Sequence, residues 1–204
     1  MPDFGPFTSY RDALMEACPL ILSQPRATAG RRDDQNFAVR WRVSTEYCAW
    51  LYHTPQETYE MSMLMESSDA VPPDSHGERG CRIPAFVHDR RYPQHALKHL
   101  YVLHNHPAAP THISLKDIRA VVAAAKIHGR FMETHEGRIP VGVVAFFANS
   151  YEPTSPSCDG FFEYTWGSTD VVRWTPDEQG AWSGEKVGTV TWKSETEFDF
   201  EPGG

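Results

Sequence analysis

His104, His106, Ser114 and Asp117 lie within one short stretch of a 204-residue chain. The string is His104-Asn105-His106-Pro107, six residues, Ser114, two residues, Asp117. On an extended backbone alternate side chains share a face, so His104 and His106 point their rings to one side and Asn105 to the other. Tyr101-Val102-Leu103 just upstream is aromatic and aliphatic, as a buried strand should be. Pro107 ends that strand by removing an amide donor where the chain turns away. Beyond a short loop, Ile118, Val121, Val122 and Ala125 form one helical stripe, which puts Asp117 in the first turn, where the chain folds back toward the histidines. Two imidazoles, one carboxylate and a fourth position left for water describe a catalytic zinc (Zn2+) site. A structural zinc site is closed by four protein ligands, often thiolates, and no cysteine lies near this segment.

Simpler readings exist for each residue taken alone. The chain has ten histidines, and a single histidine in a strand is usually a packed core or surface residue. Ser114 and Asp117 also match a helix capping box, serine at the N-cap and the acid three residues on, which needs no metal. The conjunction at this spacing is what favours a metal site.

The elements that must position these residues can be read in outline. Ser9 to Leu22 carries Tyr10, Ala13, Leu14, Ala17 and Ile21 at helical spacing and predicts an amphipathic helix. Thr28 to Gln35 is a polar loop, and Phe37 to Val43 alternates as a strand. Glu46 to Tyr52 and Thr58 to Met65 form a hairpin turning near Pro55, and Ser67 to Gly80 is an exposed loop. Arg82 to Val87 reads as a short strand and Tyr92 to His99 as a helix leading into the metal strand. Ile139 to Ala148 is an apolar run that reads as a buried strand. After a Ser- and Pro-rich stretch from Tyr151 to Asp159, Phe161 to Trp166, Val171 to Trp174 and Val187 to Trp192 are aromatic, strand-like pieces. They are expected to form an extra hairpin layer on the core. The Gly203-Gly204 end reads as an ordinary terminus.

Length predicts one domain with extensions. The formal charge of −8 argues against a nucleic-acid surface. Arg26, Arg31 and Arg32, and again Arg82, Arg90 and Arg91, form basic clusters that read as solvated loops. Cys18, Cys48, Cys81 and Cys158 are widely spaced and read as the reduced thiols of a cytoplasmic protein. No apolar run approaches the roughly 20 residues of a membrane span, and Met1 to Pro6 lacks the pattern of a signal peptide.

The metal string resembles the JAMM signature of the MPN (JAB) domain metalloproteases, and its Asn105 resembles the RadC-type bacterial branch. The resemblance implies a cytidine-deaminase-like α/β fold, a mixed curved sheet flanked by helices. It divides the chain into an N-terminal helix and loop (1–34), the metalloprotease core (35–150) and an aromatic β-rich extension (151–204). It also implies zinc on His104, His106 and Asp117, and Ser114 as a donor to the tetrahedral intermediate. An upstream glutamate would act as the base. Glu46 opens Glu46-Tyr47-Cys48-Ala49, which resembles the family pattern except for Ala49, where glycine is common. Glu57 and Glu60 are the alternatives; Glu57 lies in the turn, and Glu60 and Glu66 read as solvent-facing strand residues. The function so implied is hydrolysis of a peptide or isopeptide bond after the tail of a ubiquitin-like protein, in a bacterial, cytoplasmic setting. The rival expectations are a RadC-like DNA-associated protein and a non-catalytic MPN scaffold that binds a partner.

Overall fold

The apolar runs around residues 47–53, 98–105 and 142–147 form the middle of one mixed sheet. The computed structural model describes residues 4–67, 80–109, 112–149 and 156–203. The chain begins with α1 (Tyr10–Leu22), β1 (Gly30–Arg31), α2 (Phe37–Val43), β2 (Tyr47–His53), β3 (Tyr59–Met61) and β4 (Met65–Glu66). A 3-10 turn (Gln94–Ala96), β5 (Lys98–Asn105), β6 (Ala108–Ala109) and α3 (Leu115–His128) follow. Then come β7 (Phe131–Thr134), β8 (Gly137–Pro140), β9 (Gly142–Phe147), β10 (Gly160–Thr165), β11 (Asp170–Pro176), β12 (Trp182–Trp192) and β13 (Phe198–Pro202). Among the described residues the main sheet runs β13-β12-β11-β10-β9-β5-β2-β3, with β4 also on β2. Within this sheet β5 and β9 pair in parallel and the other described neighbours are antiparallel; the separate β1–β6 pair is parallel. The architecture is mixed α/β, as expected.

Each face of the sheet is covered by one helix, because the strand residues alternate. Leu103, Val144, Phe146 and Phe161 share a cluster with Leu14, Ala17, Ile21 and Leu22 of α1. Val102, Val143, Ala145, Phe162 and Tyr164 share the other with Ile118, Val121 and Ala125 of α3. Each large apolar side chain so buried contributes about 1.5–3 kcal/mol. Gly142 permits a close approach within the sheet: a Cβ there would fall 2.6 Å from the Tyr101 ring and 2.8 Å from the Tyr164 carbonyl oxygen.

Several local expectations are corrected. Phe37 to Val43 is helical, not a strand; the i, i+4 spacing stacks Phe37 on Trp41, with ring centroids 6.2 Å apart. Arg40 anchors that turn by donating to the Ala29 carbonyl at 2.9 Å and pairing with Asp34. Arg82 to Val87 is an irregular strap, held instead by bonds from Trp50 Nε1 to the Pro84 carbonyl and from the Val87 amide to His99 Nε2. Tyr92 to His99 holds only the single 3-10 turn, since Lys98 already enters the sheet opposite His53. The 139–148 run divides at Val141: β8 folds back on β7 and β9 enters the main sheet. The extension strands prolong that sheet through β10 rather than lying over it as a layer. Residues 68–79 of the expected exposed loop and 150–155 of the Ser- and Pro-rich stretch lie outside the described residues.

The cysteines are also corrected: Cys18 is bonded to Cys158 and Cys48 to Cys81, with no free thiol. Pairs 140 and 33 residues apart are invisible to spacing, but the topology brings α1 to the connection before β10 and the strap to β2. Reduced cysteines therefore no longer support a cytoplasmic setting, since disulfides persist chiefly in oxidising compartments. No helix among the described residues is long and apolar enough to cross a membrane.

His99 links the sheet to the strap and makes folding sensitive to acid. Its ring stacks on His128 with centroids 3.9 Å apart, and it must be neutral to accept the Val87 amide. Burial, helped by His128, pushes its pKa down to about 4, against ~6.5 in an unfolded chain. The unfolded state then binds more protons between these values, so stability is full above about pH 6.5 and falls as the pH drops toward 4. Denaturant midpoints should decline across that window while the His99 NMR signals stay those of a neutral ring at about pH 5.5. A His99 that titrates near 6.5 in the folded protein would contradict this.

Candidate metal centre

Strand β5 delivers His104, and α3 delivers Asp117 from the same side of the sheet. His104 follows Val102 on the α3 face and is buried at the strand's end, opposite Cys48 of β2 and Ala145 of β9. His106 lies just past β5, its amide continuing the ladder by donating to the Phe146 carbonyl at 2.8 Å. The chain then turns at Pro107, whose carbonyl accepts the Ala29 amide at 2.7 Å, and β6 pairs with β1. Ser114 starts α3 with a complete capping box: its Oγ accepts the Asp117 amide, and Asp117 Oδ2 accepts the Ser114 amide at 2.7 Å. The capping reading of these two residues is therefore correct.

The three side chains also converge. His104 Nε2 and His106 Nε2 are 3.0 Å apart; His104 Nε2 is 3.3 Å from Asp117 Oδ1, and His106 Nε2 is 3.6 Å from Asp117 Oδ2. One donor atom from each lies within 4.8 Å of the others, a group able to hold a metal ion. A tetrahedral ion with bonds of ~2.0–2.1 Å spaces its ligand atoms ~3.3 Å apart, close to what is seen. Imidazole and carboxylate together suit a divalent cation of zinc type. The Val144 main chain hydrogen-bonds the His104 ring and so orients it, as supporting groups behind metal ligands do.

Electrostatics couple the group. Burial alone would lower the His104 pKa, but the Asp117 charge and hydrogen bond outweigh it, and the net shift is upward. Burial alone would raise Asp117, yet the His104 charge, with hydrogen bonds to both histidines, holds it well below the usual carboxylate range. Each partner stabilises the charged form of the other.

Asn105, facing the opposite way, is fully buried and reaches three main-chain groups. Its Oδ1 accepts the Tyr47 amide at 2.6 Å, and its Nδ2 donates to the carbonyls of Ala27 and Thr45 at 2.5 and 3.1 Å. These bonds pin the start of β2, where Glu46 stands. Glu46 is buried; desolvation raises its pKa, opposed by the His104 charge and assisted by that of Asp117. Its Oε1 accepts the Cys81 amide at 3.3 Å. Of the other candidates, Glu57 sits in the turn after β2. Glu60 is not the solvent-facing residue expected: it is buried and paired with Arg91, which also binds Asp89. Glu66 is exposed on β4.

Glu46, His104, His106, Ser114 and Asp117 line one cleft of about 350 Å³. Its rim adds residues to which the sequence drew no attention as parts of a site: Trp41 of α2, His112, Lys116 and the Cys48–Cys81 bridge. Trp41 carried no signal as a strand residue, and Lys116 reads as an ordinary helix cation. No family model matches the chain, and no curated protein is significantly similar to it.

Replacing Asn105 tests how far the site depends on the residue behind it. Asn105→Ala removes the side-chain hydrogen bonds to the Tyr47 amide and to the Ala27 and Thr45 carbonyls, at ~1–3 kcal/mol for each group that is left unsatisfied. The denaturant midpoint should fall clearly, and metal affinity should fall with it because His104 and His106 flank the lost anchor. An Asn105→Ala protein with unchanged stability and metal affinity would refute the role.

Proposed function

We propose that the chain is a zinc-dependent hydrolase of amide bonds, a metallopeptidase or isopeptidase acting after the C-terminal tail of a ubiquitin-like protein. The observation that carries it is the convergence of His104, His106 and Asp117 in a cleft that Glu46 and Ser114 also line. A group with only a structural task has no need of a buried carboxylate beside it that ligates nothing. The resemblance to the JAMM signature supplies the choice of a ubiquitin-like substrate.

In this reading His104 and His106 hold zinc through Nε2, and Asp117 holds it through its carboxylate. When bound, zinc supplies Lewis acidity, which polarises a carbonyl and lowers the pKa of water toward ~7. Glu46 takes the proton of the attacking water and hands it to the leaving amine. Its upward-shifted pKa suits a group that must both accept and release a proton near neutrality. The Ser114 hydroxyl accepts from the Asp117 amide, which leaves its own hydrogen to donate to the oxyanion as it forms. A partner-binding scaffold is the second reading. The self-sufficient capping box favours it, since Ser114 and Asp117 have partners before any metal enters.

Purified chain should bind about one zinc per molecule, and Glu46→Gln should keep that zinc while losing on the order of a hundredfold or more of hydrolysis. The measurement pairs elemental analysis with mass spectrometry of ubiquitin-like fusions before and after incubation. Zinc-loaded protein that cleaves none of them would leave the scaffold reading standing. If Glu46→Gln cleaved as the parent does, Glu46 would not be the base.

Ser114→Ala separates its two tasks. Loss of the cap costs ~1 kcal/mol of stability, whereas loss of an oxyanion donor costs on the order of a hundredfold in turnover. A melt and a rate at saturating zinc and substrate should show the small first effect and the large second one. Lower stability with unchanged turnover would make Ser114 a cap alone.

A further inference from the structure

We propose that the Cys48–Cys81 disulfide is a positioning clasp: it holds the 80–87 strap, and with it the Cys81 amide, against Glu46, so that the site works only while the bond is closed. The part about catalysis rests on the hydrolase reading above; the part about the strap does not.

Cys48 is the β2 residue directly opposite His104 on β5, and directly opposed residues of an antiparallel pair share a face. The disulfide therefore stands on the metal side of the sheet, beside a ligand, and both of its cysteines line the cleft. Cys81 brings its amide to 3.3 Å from Glu46 Oε1. The strap itself has no regular structure. Its far end is tied at Pro84 by Trp50 Nε1 at 2.8 Å and at Val87 by His99 Nε2 at 2.9 Å. The end nearest the site is tied covalently, by Cys81 to Cys48. The Glu46 carboxylate is carried on a side chain with several rotatable bonds, so a fixed donor selects the orientation in which it faces the cleft.

Opening the clasp is ordinary exchange chemistry. Cys81 is partly exposed and Cys48 buried, so an external dithiol attacks the Cys81 sulfur first. One sulfur–sulfur bond forms as the Cys48–Cys81 bond breaks, and Cys48 leaves as a thiolate that takes up a proton. The reagent's second thiol then closes it to a disulfide and releases Cys81 as a thiol. Two electrons and two protons pass from the dithiol to the protein. Cys48 then remains in β2 as a small buried residue, while Cys81 is no longer covalently bound to the sheet.

The test compares the full chain carrying Cys48→Ser with Cys81→Ser against a matched control carrying Cys18→Ser with Cys158→Ser. The wild-type chain treated with dithiothreitol and then reoxidised is a third arm, in which no residue is changed. Circular dichroism follows the fold in each. Hydrogen exchange of the amides of residues 80–83, and trypsin cleavage after Arg82, report the strap without any need for activity. Both should rise in the Cys48/Cys81 variant and in reduced wild type, not in the control, and reoxidation should reverse them. On a cleaved substrate, kcat should fall on the order of a hundredfold, while zinc affinity and KM change little. A strap that stays protected without the bond would overturn the clasp. A strap that opens with kcat unchanged would overturn its positioning of Glu46. Zinc-loaded wild type that hydrolyses nothing would overturn the hydrolase reading, and the exchange measurement would still decide the clasp.

Discussion

Two histidines that share one face of a strand force the residue between them to the other face, and here that residue is a fully buried asparagine. Asn105 cannot be exchanged for an apolar side chain of similar size without stranding polar groups, because the amide and carbonyls it meets belong to two separate segments of the chain. Its carboxamide has one acceptor and one donor end, and both are used. Thus the segment that presents His104 and His106 to one side is fastened, on the other side, to the loop after α1 and to the start of β2. The second fastening brings Glu46 to the same end of the sheet. One side chain behind the site fixes the relation between ligands and candidate base.

In front of that anchor the charges are arranged as a self-satisfied group. His104 and Asp117 are almost withdrawn from water, with side-chain exposures of 4% and 15%. Unpaired charges so placed would be costly. Their pKa shifts, upward for the imidazole and downward for the carboxylate, show each acting as the other's partner. A metal ion must displace the proton that this pairing favours, so binding releases protons and strengthens as the pH rises. The same pairing keeps the three side chains together before an ion arrives, which lowers the ordering cost of binding.

The parts legible in the sequence were those governed by short-range periodicity. Strand alternation placed His104 and His106 together, helical spacing placed Asp117 in the first turn of α3, and the stripe on α1 was visible for the same reason. Failures came where long-range contacts decide. Phe37, Val39, Trp41 and Val43 alternate like a strand, but among the described residues the segment has no strand partner and buries none of its own; Arg40 and the Phe37–Trp41 stack make it a helical turn. The strap at residues 82–87 is apolar enough for a strand, yet its hydrogen bonds come from the side chains of Trp50 and His99. Both disulfides depend on topology alone. Glu60 looked solvent-facing because Arg91, its partner, is 31 residues away.

The capping box and the metal site are compatible for a stereochemical reason. A carboxylate has about four lone-pair directions on two oxygens. The Ser114 amide uses one of them on Oδ2 at 2.7 Å, and Oδ1 remains turned to His104. Asp117 is thereby held in one orientation by the first turn of its helix, and that orientation is the one that meets the histidines. The positive end of the α3 dipole favours the same ionised state. The capping box does not compete with a ligand role but prepares for it, since a side chain already held in place loses little freedom when an ion binds.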